Sequence, residues 1–109
     1  AVCTKVRHGD RDVTIELPPL HAQGRAVVLL DDMASTGRTL AQAARLLRAA
    51  GAASVDVAVT HALFAGDALQ ALHDAGAGEV WSTDCIPHAS NAVPMAAPLA
   101  QALRSLLPA

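Results

Sequence analysis

The strongest constraint on the fold is residues 27–40, which read VVLLDDMASTGRTL. The stretch opens with four consecutive apolar residues, a pattern that predicts a strand buried on both faces of a parallel sheet. From Leu40 onward the apolar residues recur at helical spacing, which predicts a helix after that strand. Two aspartates and a Ser-Thr-Gly turn lie between them. The sequence therefore predicts a strand and a helix joined by a polar loop.

The Ser-Thr-Gly turn has the chemistry of a phosphate site. Gly37 lets the backbone turn sharply. Hydroxyl groups lie on both sides of that glycine, at Ser35, Thr36 and Thr39. The helix that begins at about Arg38 presents free N–H groups and the positive end of its dipole, and both favour an anion. The nucleotide P-loop pattern is absent, so we do not expect the bound phosphate group to be part of a nucleotide.

The two aspartates indicate what carries the phosphate. Asp31 and Asp32 would repel a phosphate placed against them, but carboxylates are good acceptors for sugar hydroxyls one ribose length away. We therefore predict a phosphorylated pentose, with its hydroxyls at the two aspartates and its phosphate at residues 34–39. The simpler alternative is a strand-end carboxylate pair followed by an ordinary helix cap.

The remaining pattern is typical of an α/β domain. A polar hairpin is predicted over residues 4–17, and Lys5 and Arg7 share one face of its first strand because they are two residues apart. On that pattern alone they are two surface cations. The further predictions are helices over 39–50 and 66–75, a central strand over 25–30, strands over 54–60 and 79–83, a short edge strand over 92–95, and a last helix from Pro98 with a stripe of Leu99, Leu103 and Leu106. Strand, helix and strand in this order imply parallel pairing, which brings His61 to the same sheet edge as the aspartates.

Four segments resemble one known family. The loop LDDMASTGRT resembles the ribose-phosphate loop of the type I phosphoribosyltransferase fold. The segments KVRHGDR at 5–11, THALF at 60–64 and STDCIPH at 82–88 resemble, in the same order, segments of ribose-phosphate pyrophosphokinase, also called phosphoribosyl pyrophosphate synthetase. The similarity runs over nearly all of this chain but over only about the last third of that family's polypeptide.

The resemblance implies a fold. We expect a partial doubly wound parallel sheet flanked by helices, with an N-terminal polar hairpin. Residues 1–109 would form a single C-terminal phosphoribosyltransferase-like domain, without the N-terminal part of the family.

The resemblance also implies an activity. In the full enzyme, diphosphate passes from ATP to ribose 5-phosphate with Mg²⁺ present, giving phosphoribosyl pyrophosphate and AMP. Asp31 and Asp32 would hold the ribose hydroxyls, the loop from Ala34 to Thr39 would hold the 5-phosphate, and Lys5 and Arg7 would contact the phosphates of ATP. The family's adenine pocket and most of its metal contacts lie in the preceding part, and its active form is an oligomer. We therefore expect this chain alone to bind ribose phosphate weakly and not to turn over.

Two other functions fit the same loop. A phosphoribosyltransferase that consumes phosphoribosyl pyrophosphate would bind the same sugar phosphate, although Lys5, Arg7 and the segment 84–87, DCIP, favour the synthetase. A non-catalytic regulator that binds phosphoribosyl pyrophosphate would keep the loop and lose the catalytic cations. The presence of Lys5 and Arg7 argues mildly against that regulator.

Charge and composition narrow the partners. A formal net charge of −2 argues against broad binding to nucleic acid. No apolar run approaches the length of a membrane span and no charged-then-apolar leader is visible, so we expect a cytoplasmic location. Cys3 and Cys85 are far apart in sequence and lack a C-x-x-C motif, so we expect two reduced thiols.

Overall fold

The computed structural model describes residues 1–9 and 13–107. These residues form a four-stranded parallel sheet with the order β3-β4-β5-β6 and a separate antiparallel hairpin of β1 and β2. The elements are β1 (Thr4–Arg7), β2 (Val13–Glu16), β3 (Ala26–Ala34), α1 (Arg38–Ala49), β4 (Ser54–Ala62), α2 (Ala68–Asp74), β5 (Ala77–Thr83), β6 (Asn91–Val93) and α3 (Ala96–Arg104). The expected α/β class with an N-terminal hairpin is confirmed. The turn of the hairpin predicted over residues 4–17 lies partly outside the described residues.

The parallel pairing of β3 with β4 positions the polar loops. The two strands pair from Ala26 with Ser54 to Ala34 with Ala62, and α1 is the crossover between them. Valine-rich segments favour strands because the branched side chain packs well on a pleated surface. Since parallel strands point the same way, the loops that follow β3, β4 and β5 all leave from one edge of the sheet.

The core lies on one face of this sheet. The side chains of Val55 and Val57 are fully buried there, with Val59 on the same side of β4. Leu47 from α1 and Leu72 from α2 pack into the same cluster and are 2% and 0% exposed. The spacing of apolar residues predicted this face of α1, and the prediction is confirmed.

The prediction that β3 is a central strand buried on both faces is wrong for the part of the chain that the structure describes. β3 pairs there only with β4, and its two outward side chains are exposed, Val28 by 50% and Leu30 by 79%. Val27 and Leu29 pack against the core on the other face. A run of apolar residues makes both faces of a strand fit for burial, but burial also needs a layer on each face. Helix α1 covers only one face of β3.

The last helix forms but does not pack. Leu99 and Leu103 of the predicted stripe lie on it and are exposed by 50% and 52%, whereas Leu106 lies beyond the end of the helix at Arg104 and is 76% exposed. No residue of α3 is buried. What holds its start is Asp84, whose carboxylate accepts the N–H of Met95 at 2.9 Å.

Arg48 is exposed on α1 and its side chain links two elements. Its Nε donates to the carbonyl oxygen of Gly76 and a terminal nitrogen donates to that of Ala53, both at 3.1 Å. The side chain thereby joins α1 to the end of α2 and the start of β4.

Two expectations from composition can be compared with the structure. Cys3 and Cys85 are free thiols, as predicted. Among the described residues, no helix combines the length and the apolar character that crossing a membrane requires.

Leu47 and its neighbour Leu46 test the core directly. Leu47→Ala should lower the free energy of unfolding by about 2–5 kcal/mol, because a buried leucine leaves a cavity. Leu46 is 38% exposed, and its alanine variant should cost less than about 1 kcal/mol. Urea titration followed by circular dichroism measures both. Equal losses in the two variants would contradict the core described here.

Candidate functional site

The loop between β3 and α1 depends on the backbone of Gly37. This residue is the N-cap of α1 and has φ 76° and ψ 0°, the left-handed conformation that glycine adopts without strain. A Cβ at this position would lie 3.2 Å from the carbonyl oxygen of Ala68, at the start of α2. The predicted sharp turn is thus confirmed, and α2 packs closely behind it.

The start of α1 is open to an anion. Helix α1 begins at Arg38, as the sequence indicated, and Gly37 has no side chain to cap it. The N–H of Arg38 makes only a long hydrogen bond, 3.4 Å, to the hydroxyl of Thr36. Free N–H groups and the helix dipole favour negative charge at this position.

Most of the predicted site residues line one cavity of about 180 Å³. It lies in front of the loop and is lined by Lys5, Asp31, Met33, Ala34, Ser35, Thr36, Gly37, Arg38, Thr39 and Leu40. Hairpin β1–β2 therefore brings a cation to the loop between β3 and α1. Arg7 and Asp32 are predicted site residues that do not line this cavity.

A second, more apolar cavity adjoins the first. It has a volume of about 460 Å³ and shares Lys5, Asp31, Thr39 and Leu40 with the smaller one. Its other walls are the hairpin, the exposed side of β3 and α1, with Val2, Ile15, Leu30 and Ala43 among them.

The two aspartates differ in environment. Asp31 is half-buried and Asp32 is exposed, and the N–H of Asp32 donates to Oδ1 of Asp31 at 2.8 Å. Burial raises the pKa of Asp31, the charge of Asp32 adds to that rise, and the ammonium of Lys5 opposes it. Hydrogen bonding to Asp31 lowers the pKa of Asp32. The doublet thus holds a proton on Asp31 more readily than on Asp32.

The loop after β4 lies against the loop between β3 and α1. The N–H of Leu63 donates to the carbonyl oxygen of Ala34 at 3.0 Å, and that of Ala65 donates to Ser35 at 2.9 Å. His61 is half-buried on β4, opposite Met33, and its charge contributes to lowering the pKa of Asp32. The parallel register therefore brings His61 to the sheet edge where it was predicted.

The segment after β5 uses its polar groups within the fold. The hydroxyl of Thr83 donates to the carbonyl oxygen of Thr60 at 2.6 Å, and the carboxylate of Asp84 accepts the N–H of Met95, the residue before α3. His88, Ser90 and Asn91 form a hydrogen-bonded cluster with Ser82 that the sequence pattern did not predict. These residues are up to nine positions apart, and only the pairing of β6 with β5 brings them together.

The resemblance also predicted Mg²⁺. The residues that the structure describes contain no group of three or more His, Cys, Asp or Glu side chains that could hold a metal ion. Asp31 contributes a carboxylate to the cavity lining, and the carboxylate of Asp32 is its neighbour in sequence. Two carboxylates do not make a cage for Mg²⁺, which usually completes its shell with water and substrate phosphates.

The sheet and its loop define an α/β domain of the phosphoribosyltransferase-like type, and comparison with known proteins agrees. A family model described as the phosphoribosyl synthetase-associated domain matches residues 12–98. The chain belongs to this family.

Similar proteins are ribose-phosphate pyrophosphokinases, which confirms the resemblance. The chain is 39% identical over 102 residues to that of Methanopyrus kandleri, covering 94% of this chain and 35% of the relative. It is 36% identical over 102 residues to that of Methanosarcina acetivorans, covering 94% and 36%. The solved phosphoribosylpyrophosphate synthetase from Mycobacterium smegmatis matches with a TM-score of 0.69 and 32% identity, over 95% of this chain and 36% of that one. The chain thus spans about a third of the length of these relatives.

Gly37 can be tested against a second glycine of the same conformation. Gly37→Ala should lower the free energy of unfolding by about 2–4 kcal/mol, because left-handed strain is joined by crowding against Ala68. Gly24 has φ 73° and no atom within 4 Å of the point where a Cβ would lie, so its alanine variant should lose only about 1–2 kcal/mol. Thermal unfolding of both variants measures the difference. Equal losses would show that α2 does not pack against this turn.

The two aspartates should contribute to the free energy of unfolding with pH dependences of opposite sign. The raised pKa of Asp31 favours the folded state at low pH, and this contribution is lost as pH rises through the folded pKa. Asp31→Asn should therefore be more stable than wild type above that pH and match it in acid. The lowered pKa of Asp32 has the reverse effect, so Asp32→Asn should be less stable at neutral pH and match wild type in acid.

Thermal unfolding from pH 3 to 8 measures both curves. Glu79→Gln, at an exposed carboxylate near the start of β5, is the control and should show neither trend. The same sign of effect in both aspartate variants would contradict this assignment.

Proposed function

We propose that this chain binds ribose 5-phosphate as part of a ribose-phosphate pyrophosphokinase, with the segment from Asp31 to Thr39, which runs from the end of β3 to the start of α1, as the binding site. The observation that carries the proposal is the cavity in which the acidic strand end, the loop before α1 and Lys5 meet. An anion site and a carboxylate lie side by side there. A pentose 5-phosphate has the matching pair of groups.

The phosphate half of the site is the loop from Ala34 to Thr39. The start of α1 supplies N–H groups and the positive end of the helix dipole. The hydroxyls of Ser35, Thr36 and Thr39 lie on the cavity wall and can donate to phosphate oxygens. The ammonium of Lys5 is close enough to Asp31 to oppose the rise in its pKa, so its positive charge also reaches the cavity.

The sugar half is the aspartate doublet. Asp32, whose pKa is lowered, is the better acceptor for a ribose hydroxyl, and Asp31 lines the cavity directly. The pair can therefore accept hydrogen bonds from both ribose hydroxyls.

The reaction proposed for the whole enzyme needs positioning and positive charge. The anomeric hydroxyl of ribose 5-phosphate attacks the β-phosphorus of ATP, the bond from that phosphorus to the α-phosphate oxygen breaks, and AMP leaves. Phosphoryl-type transfer requires no covalent protein nucleophile. Arg7, exposed on β1, and Lys5 would contact the ATP phosphates. Mg²⁺ would supply further positive charge to those phosphates.

The proposal assigns only part of the reaction to this chain. It spans about a third of the length of its relatives, and no adenine pocket is assigned to its residues. The isolated chain should therefore bind the sugar phosphate and form no AMP from ribose 5-phosphate and ATP. The completing part of the enzyme, an oligomeric assembly and a cytoplasmic location belong to the same proposal.

Titration calorimetry with ribose 5-phosphate tests the site. Wild type should bind ribose 5-phosphate, and inorganic phosphate should compete for the same site. Asp31→Asn should lower the affinity for ribose 5-phosphate by about tenfold, because a charged acceptor for a sugar hydroxyl is lost. Inorganic phosphate touches only the loop, so its affinity should be nearly the same in Asp31→Asn. Glu79→Gln controls for the loss of one negative charge and should bind like wild type.

Two results would refute the proposed site. One is equal affinity of wild type and Asp31→Asn for ribose 5-phosphate. The other is a crystal soaked in ribose 5-phosphate in which the sugar lies elsewhere and the loop from Ala34 to Thr39 is empty.

A further inference from the structure

We infer that His88 is a positioning residue for the phosphate loop, acting through Phe64 and the loop after β4. The inference rests on the proposed function, because the loop that His88 supports is the proposed ribose-phosphate site. His88 itself does not line the cavity. Its effect would travel through three contacts that the structure shows.

The first contact is a chain of hydrogen bonds that fixes the imidazole. The N–H of Ser90 donates to Nδ1 of His88 at 3.0 Å, so Nδ1 carries no proton. The hydroxyl of Ser90, 2.7 Å from the same nitrogen, must then donate to it as well. The proton of the neutral ring therefore lies on Nε2.

The series of hydrogen bonds continues in one direction away from the imidazole ring. Because the hydroxyl of Ser90 donates its hydrogen bond to His88, its oxygen accepts a hydrogen bond from the hydroxyl of Ser82 at 2.8 Å. Ser82 in turn accepts from the side-chain amide of Asn91 at 2.9 Å. That amide is oriented by its own contacts, since Oδ1 accepts the N–H of His88 and Nδ2 donates to the carbonyl oxygens of Thr83 and Ile86.

Burial makes this series of hydrogen bonds rigid. Ser82 is 1% exposed, and a buried hydroxyl that loses its partner costs free energy. The network therefore resists rotation of the imidazole. His88 is held by its backbone N–H, by its Nδ1 and by the turn that contains Ser90.

The second contact is between aromatic rings. The ring centroids of His88 and Phe64 are 5.1 Å apart and the ring planes are tilted by 49°, a favourable arrangement for an aromatic pair. Phe64 is half-buried and packs against the core. It therefore lies between a fixed imidazole and the hydrophobic cluster.

The third contact joins Phe64 to the phosphate loop. The residues on either side of it, Leu63 and Ala65, donate their N–H groups to the carbonyl oxygens of Ala34 and Ser35. Those two residues begin the segment proposed to hold the phosphate. A loop that can shift at Phe64 can therefore shift the backbone of the site.

Amide hydrogen exchange and phosphate binding together test the inference. His88→Ala should speed amide hydrogen exchange at Ala65, because the ring contact is lost. It should also lower the affinity for both ribose 5-phosphate and inorganic phosphate by about 3- to 10-fold. His88→Phe keeps a ring at Phe64 and should restore much of the protection at Ala65. Ser90→Ala keeps the ring but frees its orientation, and should give a smaller change in the same direction.

The controls separate positioning from general destabilisation. His73 is exposed on α2, and His73→Ala should leave exchange at Ala65 unchanged. Exchange at Val57, fully buried in β4, reports on the whole fold and should not change in the His88 variants. A rise at Val57 equal to that at Ala65 would mean that His88 only stabilises the fold, and would overturn the inference.

The outcomes also separate this inference from the proposed function. If wild type binds ribose 5-phosphate and both His88→Ala and Ser90→Ala leave affinity and Ala65 exchange unchanged, the positioning role is wrong and the proposed function stands. If wild type binds neither ribose 5-phosphate nor inorganic phosphate, the proposed function fails, and the positioning role fails with it because no site remains to be positioned. Faster exchange at Ala65 would then show only a structural link.

Discussion

The close packing of Gly37 against the start of α2 is the contact on which the site depends. The left-handed backbone at this residue ends β3 and begins α1 within a few residues, and Ala68 lies where a side chain would otherwise point. This packing leaves the start of α1 facing the cavity and not another element. An anion site at a helix N-terminus needs this exposure, because N–H groups already bonded to protein cannot serve a ligand.

Parallel pairing then gathers the other components at one edge. β3 supplies the aspartates, the loop after β4 bonds to Ala34 and Ser35, and the segment after β5 holds the aromatic contact to Phe64. The three loops form successive layers, in which each is fixed by the next. Hairpin β1–β2 adds Lys5 from a separate sheet, so one of the two cations that line the cavity comes from outside the parallel sheet and the other, Arg38, from the start of α1.

Packing of the sheet is one-sided. α1 and α2 bury Val55, Val57 and Val59, while the opposite face of β3 and the leucines of α3 are exposed. An amphipathic pattern specifies which side of an element can be buried and not what covers it. The chain spans about a third of the length of its relatives, and its core is complete only on the face that its own helices reach.

The sequence by itself determined the order of strand, glycine turn and helix around residues 27–40, because these depend on neighbours close along the chain, and the order of strand, helix and strand implied the parallel arrangement. The same local reasoning identified the leucine stripe of α3. Only the tertiary structure decided that β3 is an edge strand, that Arg48 and Asp84 bond to distant backbone, and that His88 reaches Phe64. Those contacts join residues 11 to 28 positions apart. They arise from strand order and from which faces are covered, and periodicity in the sequence encodes neither.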